Sequence, residues 1–158
     1  MDGERPRPVL ARAARVGAVI VGASPWLLPP ARAWLPLGAV GVALDAAFAT
    51  TCHRIPERTL VLVGVAMPVC SRCAGIFAGV AVGALAAWPA LSPRAWRLAI
   101  TAASLIMLAD VMTQDAGLHP VWHPARIATG LLFGYALAAA CVTLLARPGT
   151  TRDVATER

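Results

Sequence analysis

The chain has 158 residues, of which 58% are hydrophobic and only 14% charged, and its formal net charge is +6. Soluble domains are about 45–50% apolar and about 25% charged, so the composition argues against an ordinary soluble domain. It favours a small helical bundle in a lipid bilayer. All fourteen basic residues are arginine, and they are scattered at the ends of apolar segments, as topology signals are. This scatter does not predict nucleic-acid binding.

The N-terminal region combines a polar tail with a first apolar segment. Residues 1–15 are predicted to form a polar, basic tail or a helix at the membrane surface. The apolar segment, 16–28, follows arginines as in a signal peptide, but it runs on through prolines without a small-residue cleavage site. We therefore expect a retained transmembrane segment, although it is shorter than the ~20 residues of a full span. The prolines of PPARAWLP, 29–36, predict a tight connection, because proline ends helices.

Four further apolar segments are predicted to cross the membrane: 35–51, 74–91, 96–112 and 127–145. The expected fold is an all-α, multi-pass protein of the cell membrane with about five transmembrane helices, or four if the first segment only lies in the interface. The bundle occupies 16–146, with a short cysteine-rich connection, 52–73, between spans two and three. A charged C-terminal tail, 147–158, follows.

Glycines recur every four residues in two of these segments. Gly75, Gly79 and Gly83 lie on one predicted helix, and Gly130 and Gly134 repeat the interval on another. In lipid, such small-residue ridges let helix backbones approach closely. The pattern predicts a helix–helix contact, either with a partner helix or between copies of the chain in a homo-oligomer. The alternative is that an alanine- and glycine-rich sequence produces this spacing by chance.

Two polar connections are predicted to share one membrane face. Two spans separate the cysteine-rich connection from the polar segment 110–126, and two crossings return the chain to the same side. If five helices span, this face carries eight arginines and the opposite face six, so the positive-inside rule predicts that the cysteine-rich face is cytoplasmic. The eight are Arg5, Arg7, Arg12, Arg15, Arg54, Arg58, Arg72 and Arg126; the six are Arg32, Arg94, Arg97, Arg147, Arg152 and Arg158.

Three of the four cysteines lie in the cysteine-rich connection. Cys70 and Cys73 form a C-x-x-C pair, whose two thiolates can converge on one tetrahedral metal ion. The apolar stretches on either side of Gly64 are too short for a span and predict a hairpin that leads into this pair. Cys52 and the adjacent His53 complete a candidate Cys3His zinc site.

The fourth ligand of this zinc site stays open. Neighbouring side chains diverge, so only one of Cys52 and His53 is expected to ligate, and His123 or Asp110 then supplies the remaining ligand from the second connection. Zinc bound by thiolates contributes folding energy, and a closed site lacks the open position that hydrolysis needs. The site is therefore predicted to be structural.

Two other interpretations of the cysteines remain. A C-x-x-C at a helix N-terminus beside Arg72 has a lowered thiol pKa, which indicates a membrane thiol–disulfide oxidoreductase with Cys52 as resolving thiol and a quinone as acceptor. Alternatively, the cysteines are small buried residues of an interfacial loop. Cys141 lies mid-span in the last segment and is predicted to be a packing residue.

Charged residues surround this connection. Arg54, Arg58, Arg72 and Arg126 are candidates to balance thiolate charge or bind an anion, or they snorkel to the headgroups. Carboxylates inside a membrane are expensive and mark functional sites by default. Asp45 and Asp110 are therefore either ion sites of a small transporter or partners of arginines at the membrane face. His119 is expected to be solvated.

At these residues the chain resembles the family of predicted membrane proteins called domain of unknown function 2085. Two elements carry the resemblance, a C-H-x-x-P-x-R-S/T element followed by C-x-R-C-x-G, and a later element with an acid, T-Q, arginine and T-G. The matching residues are Cys52, His53, Pro56, Arg58, Thr59, Cys70, Arg72, Cys73 and Gly75, then Asp110, Thr113, Gln114, Arg126, Thr129 and Gly130. The chain departs from the family pattern at Val111 and His123. The resemblance implies a membrane protein with one composite site, and it implies no activity.

Overall fold

The computed structural model describes residues 7–146, and this part of the chain is mostly helical. It contains five α-helices and one β-hairpin, the latter preceded by a 3-10 turn. The elements are α1 (Arg7–Trp34), α2 (Gly38–Ala49), the 3-10 turn (Pro56–Arg58), β1 (Thr59–Leu62), β2 (Val65–Cys70), α3 (Ser71–Ala86), α4 (Pro93–Asp115) and α5 (His123–Leu145). The predicted helical class is confirmed; the C-terminal tail, 147–158, and the first six residues lie outside the described residues.

Helix α1 corrects the prediction of a proline-rich connection. It begins at Arg7, inside the predicted tail, and continues through Pro25, Pro29 and Pro30 to Trp34. Pro25 cannot donate to the carbonyl of Val21, but the Ser24 hydroxyl donates to that carbonyl at 2.7 Å. A hydroxyl that takes over the freed acceptor is one way in which membrane helices tolerate proline. The carbonyl freed by the first of the three prolines is thus satisfied, and the helix continues into the predicted connection, 29–36, as far as Trp34.

Helix α2 is shorter than the predicted second span, 35–51. With twelve residues and a rise of about 1.5 Å per residue, it is about 18 Å long, whereas the hydrocarbon core is about 30 Å thick. Arg32 at the end of α1 and Arg54 beyond α2 both reach the carboxylate of Asp45 within α2. The predicted second span, 35–51, is thus a helix shorter than the hydrocarbon core, and the arginines on either side of it meet on one of its side chains.

The predicted hairpin around Gly64 is confirmed. Strands β1 and β2 pair antiparallel, with Leu62 opposite Val65. The two residues between them, Val63 and Gly64, both have positive φ, at 53° and 74°. Such a two-residue turn matches the twist of the flanking strands. Because β2 ends at Cys70, the hairpin delivers the C-x-x-C pair directly to the start of α3.

The glycine ridge of α3 packs against α5 of the same chain, which confirms the predicted close approach of helices. A Cβ atom on Gly75 or Gly79 would overlap the carbonyl of Ile127 or Leu131, and one on Gly83 would lie 2.6 Å from the Tyr135 carbonyl oxygen. We call this contact the glycine seam; it also contains Gly130 and Gly134 of α5, which meet the α3 backbone. Since α5 covers the ridge, a contact between copies of the chain would need another surface.

Two of the described helices are long and apolar enough to cross a membrane, namely α4 and α5 with 23 residues each. Helix α3, with sixteen residues, is apolar but shorter. Trp96 of α4 is buried against alanines of α5, while many large apolar side chains of α4 are exposed, among them Leu98, Leu105 and Leu108. By length and composition, lipid is a suitable environment for this face.

A small apolar core formed by α1, α2 and β2 positions the cysteines. Leu28 of α1, Phe48 of α2 and Met67 and Val69 of β2 are buried together with Cys52. The ring of Phe48 also packs edge-on against a ring of α3, that of Phe77, with centroids 5.8 Å apart. This core holds the end of α2, the hairpin and the first turn of α3 against one another.

Candidate metal centre

Three cysteines from different elements meet beside this apolar core. Cys52 lies in the loop after α2, Cys70 ends β2, and Cys73 lies in the first turn of α3. Their sulfur atoms all lie within 4.8 Å of one another. Zinc–sulfur bonds of about 2.3 Å place the sulfurs of a tetrahedral site about 3.8 Å apart. A contraction of an ångström or less therefore brings the three thiolates onto one ion.

Backbone geometry adds a hydrogen bond to the sulfur cluster. The Cys70 amide donates to the Cys52 sulfur at 3.2 Å, and Cys52 is buried, with 8% of its surface exposed. Cys70 itself is the N-cap residue of α3. A hydrogen bond from the Cys73 thiol, with smaller contributions from Cys52 and Arg126, lowers the pKa of the Cys70 thiol well below its ordinary value. The same hydrogen bond raises the pKa of the Cys73 thiol, with further contributions from burial and from the neighbouring sulfurs.

The predicted non-cysteine ligands do not join the three sulfurs. Neither His53, His123 nor Asp110 contributes an atom to the group of mutually close ligand atoms. The exposed side chain of His53 does line the same cavity as the cysteines. Nδ1 of His123 is buried without a hydrogen-bond partner, and Asp110 is paired with Arg72. Cys141 is exposed on α5, so it does not pack in the core as predicted.

Arg126 is the buried cation of the site. It stands in the first turn of α5 with 2% of its surface exposed. Its Nε donates to the Ser71 hydroxyl at 3.1 Å, Nη1 donates to the side-chain carbonyl of Gln114, and Nη2 lies 4.0 Å from the Cys70 sulfur. The guanidinium therefore joins α3, α4 and α5 directly behind the cysteines.

A second buried arginine is neutralised by a carboxylate. The guanidinium of Arg72 binds Asp110 through Nη2 at 2.5 Å and Nε at 3.2 Å, and both side chains are about nine-tenths buried, with 12% and 10% exposed. Two N–H groups on one carboxylate oxygen form a charge-assisted contact. The predicted meeting of the two polar connections is thus present in the structure, since Arg72 comes from the first and Asp110 from the second.

The remaining arginines near the site also pair with aspartates. Asp45 lies 2.7 Å from Arg32 and 3.2 Å from Arg54, which is the second of the two alternatives considered for this carboxylate. Arg58 lies 3.1 Å from Asp115, and both are partly exposed. Arginines thus contact both carboxylate oxygens of Asp45 and one carboxylate oxygen of Asp110.

A cavity of about 190 Å³ opens over the sulfur cluster. Its lining combines the three cysteines, one histidine and four arginines with two loop residues: Cys52, Cys70, Cys73, His53, Arg54, Arg58, Arg72, Arg126, Thr51 and Ile55. The cavity is large enough for a few water molecules. A fourth ligand of a metal ion can therefore come from the protein or from solvent.

Sequence reasoning missed three contacts of this region. Ser71 and Gln114, both buried, are the hydrogen-bond acceptors of Arg126, and Arg32 is a partner of Asp45. Ser71 lies inside the C-x-x-C pair, so its position offered a signal. The five-span topology predicts Arg32 on the opposite face, whereas in the structure its guanidinium contacts Asp45 together with that of Arg54.

Comparisons with known proteins match the part of the chain that contains the sulfur cluster. The family model described as "Predicted membrane protein (DUF2085)" matches residues 52–140, more than half of the chain. An uncharacterised protein of Methanocaldococcus jannaschii is 33% identical over 103 residues, which cover 61% of this chain and 64% of the relative. An uncharacterised protein of Methanothermobacter thermautotrophicus is 37% identical over 95 residues, which cover 58% of this chain and 84% of the relative. The match thus spans less than two thirds of the first relative's length.

No solved structure matches the chain. The family match begins at Cys52 and includes both polar connections, so it contains the sulfur cluster and the buried arginines. The resemblance recognised in the sequence is thereby confirmed. The chain belongs to the DUF2085 family of predicted membrane proteins.

Proposed function

We propose that the protein is a multi-pass membrane protein that binds one metal ion, most favourably zinc, through Cys52, Cys70 and Cys73. The observation that carries the proposal is the mutual approach of three sulfur atoms from three elements to within 4.8 Å. A redox dithiol needs two sulfurs, whereas a tetrahedral thiolate site uses the third. Soft thiolate ligands favour zinc over hard cations such as magnesium or calcium.

The metal has a structural role in this proposal. It joins the loop after α2, the hairpin and the first turn of α3, which otherwise share only a small apolar core. Metal binding by such ligands contributes directly to the free energy of folding. The fourth ligand is His53, which lines the same cavity, or a water molecule.

The metal content of the purified protein tests this function. The full chain is purified in detergent with reductant, and bound metals are measured. We expect one zinc ion per chain in the wild type and in the matched control Cys141→Ser, whose thiol is remote from the cluster. Serine at position 52, 70 or 73 should abolish stoichiometric binding. A metal-free wild type that folds normally would refute the proposal.

We further propose that α1, α3, α4 and α5 cross the bilayer while α2 and the hairpin lie at one face. The meeting of Arg32 and Arg54 at Asp45 supports this arrangement, since it puts the end of α1 on the cysteine side. By chain order, five arginines then belong to that side, which leaves nine of the fourteen for the opposite one. The five are Arg32, Arg54, Arg58, Arg72 and Arg126. The positive-inside rule now favours a cysteine face outside the cytoplasm, the reverse of the five-span count.

Labelling at the hairpin turn tests the orientation. Val63 is 64% exposed at the turn, so a cysteine there is accessible without touching the cluster. In a Cys141→Ala background, Val63→Cys should react with a membrane-impermeant maleimide added to intact cells, above the level of its parent. Labelling that appears only after lysis would place the cysteine face in the cytoplasm.

A thiol–disulfide oxidoreductase is the second candidate. Cys70 caps α3 with a lowered pKa, as the attacking thiol of a C-x-x-C pair does. Oxidation of Cys70 and Cys73 would form one disulfide and release two protons and two electrons to an acceptor such as a quinone. Thiol titration separates the two candidates. Reversible loss of two thiols per chain under mild oxidant, in a protein without metal, favours this function over the metal site.

A further inference from the structure

Arg126 is buried among neutral groups. Its hydrogen-bond acceptors are a hydroxyl and an amide carbonyl, from Ser71 and Gln114. Neither acceptor carries charge, and only 2% of the residue is exposed to solvent. A buried ion without a counter-charge is strongly disfavoured. Burial of this guanidinium therefore requires a negative group nearby.

The other arginines of the cavity have their counter-charges. Arg58 and Arg72 are each paired with an aspartate of their own, and Arg54 shares Asp45 with Arg32. Within residues 7–146, no carboxylate lies within ion-pair distance of Arg126. Its guanidinium instead faces the sulfur cluster, with the Cys70 sulfur 4.0 Å from Nη2. Of the two largely buried arginines, Arg72 has its own carboxylate, so the charge of Arg126 is left for the sulfur cluster to balance.

We propose that Arg126 is the counterion of the thiolate site and selects an occupant that leaves one net negative charge. This inference rests on the proposed metal function and names its ligand class. Three thiolates with a divalent ion and a neutral fourth ligand carry one negative charge, which a single guanidinium balances. Three thiolates with a monovalent ion would carry two, and one of them would remain buried without a partner. The site therefore takes a soft divalent ion.

Substitutions at Arg126 that separate charge from hydrogen bonding test the inference. Co²⁺ serves as the probe, because its thiolate charge-transfer absorption reports binding, and a competing chelator gives the affinity of the full chain in detergent. Arg126→Gln keeps a hydrogen-bonding side chain and loses the charge; we expect the Co²⁺ affinity to fall about 10- to 100-fold, as for other groups that support metal ligands. Arg126→Lys keeps the charge and should stay within about tenfold of the wild type.

Gln114→Ala is the matched control. It removes an acceptor of the same guanidinium and leaves the charge in place, so a purely structural role predicts a loss as large as that of Arg126→Gln. The counterion role predicts a clearly smaller loss. Each variant should retain the wild-type charge-transfer absorption per bound Co²⁺, since all three thiolates remain.

The possible results separate this inference from the proposed function. A wild type that binds neither Co²⁺ nor zinc refutes the metal site itself. A wild type that binds Co²⁺ no more tightly than Arg126→Gln refutes only the counterion. If Arg126→Gln does not fold, the lysine variant decides, since a loss of about 100-fold or more there shows that the retained charge is not sufficient.

Discussion

Helix α3 makes two contacts of opposite character. Along its length it meets α5 in the glycine seam, where backbones touch and no charged group takes part. At its first turn it carries Cys73 and Arg72 into a cluster of thiols, guanidinium groups and a carboxylate. Close packing stabilises the glycine seam, whereas electrostatic contacts stabilise the cluster. In lipid both can be strong, because close packing drives helix association and buried charges depend on their partners.

The two contacts depend on each other through α5. The glycine seam sets the distance between α3 and α5, and this distance brings Arg126 of α5 within hydrogen-bond reach of Ser71 at the start of α3. Arg126 in turn ties α5 to α4 through Gln114. Close backbone packing in the glycine seam therefore positions the charged groups, and the hydrogen bonds of Arg126 stabilise one end of the seam.

The largest effect is expected in the charged cluster. Asp110→Asn leaves Arg72 without its carboxylate in a site where both side chains are about nine-tenths buried. Loss of one partner of a buried pair costs about 3–5 kcal/mol, and we expect the lower end here. Reversible unfolding in mixed detergent micelles measures it. The control Asp115→Asn removes the exposed pair with Arg58 and should cost at most about 1 kcal/mol; equal losses would contradict a role for burial.

A somewhat smaller effect is expected in the glycine seam. Gly79→Val places side-chain atoms against the backbone of Leu131 and Tyr135, and overpacking of this kind costs about 1–3 kcal/mol. The same unfolding measurement applies. Gly17→Ala is the matched control, because a Cβ there meets nothing within 4 Å and alanine is the better helix former by up to about 1 kcal/mol. A neutral Gly79→Val would show that the helices are not in close contact.

The smallest effect is expected where α1 contacts α3. The indole Nε1 of Trp26 donates to the Ala74 carbonyl at 3.0 Å, next to both contacts of α3. Trp26→Phe removes this hydrogen bond and keeps most of the ring, so we expect a loss of about 1 kcal/mol. A loss as large as that of Asp110→Asn would mean that α1 is more than a peripheral support of α3.

Much of the fold was accessible from local pattern. The close approach of two helices, the hairpin at Gly64 and the composite nature of the site were predicted from spacing and chain order. Two predictions differ from the structure for the same reason, because the proline rule and hydropathy consider local sequence alone. The proline rule did not anticipate that α1 continues through Pro29 and Pro30 to Trp34, and hydropathy alone did not show that α2 has only twelve residues.

The sequence by itself determined the membrane class, the glycine spacing and the set of cysteines and arginines in one region, because composition and periodicity act over short stretches of chain. Only the tertiary structure decided which charges pair. Asp45 pairs with both Arg32 and Arg54, and Arg58 and Arg72 each have an aspartate of their own, while Arg126 faces the sulfur of Cys70. The physical reason is distance, since electrostatic and ligand contacts form between residues up to 57 positions apart that only helix packing brings within a few ångströms.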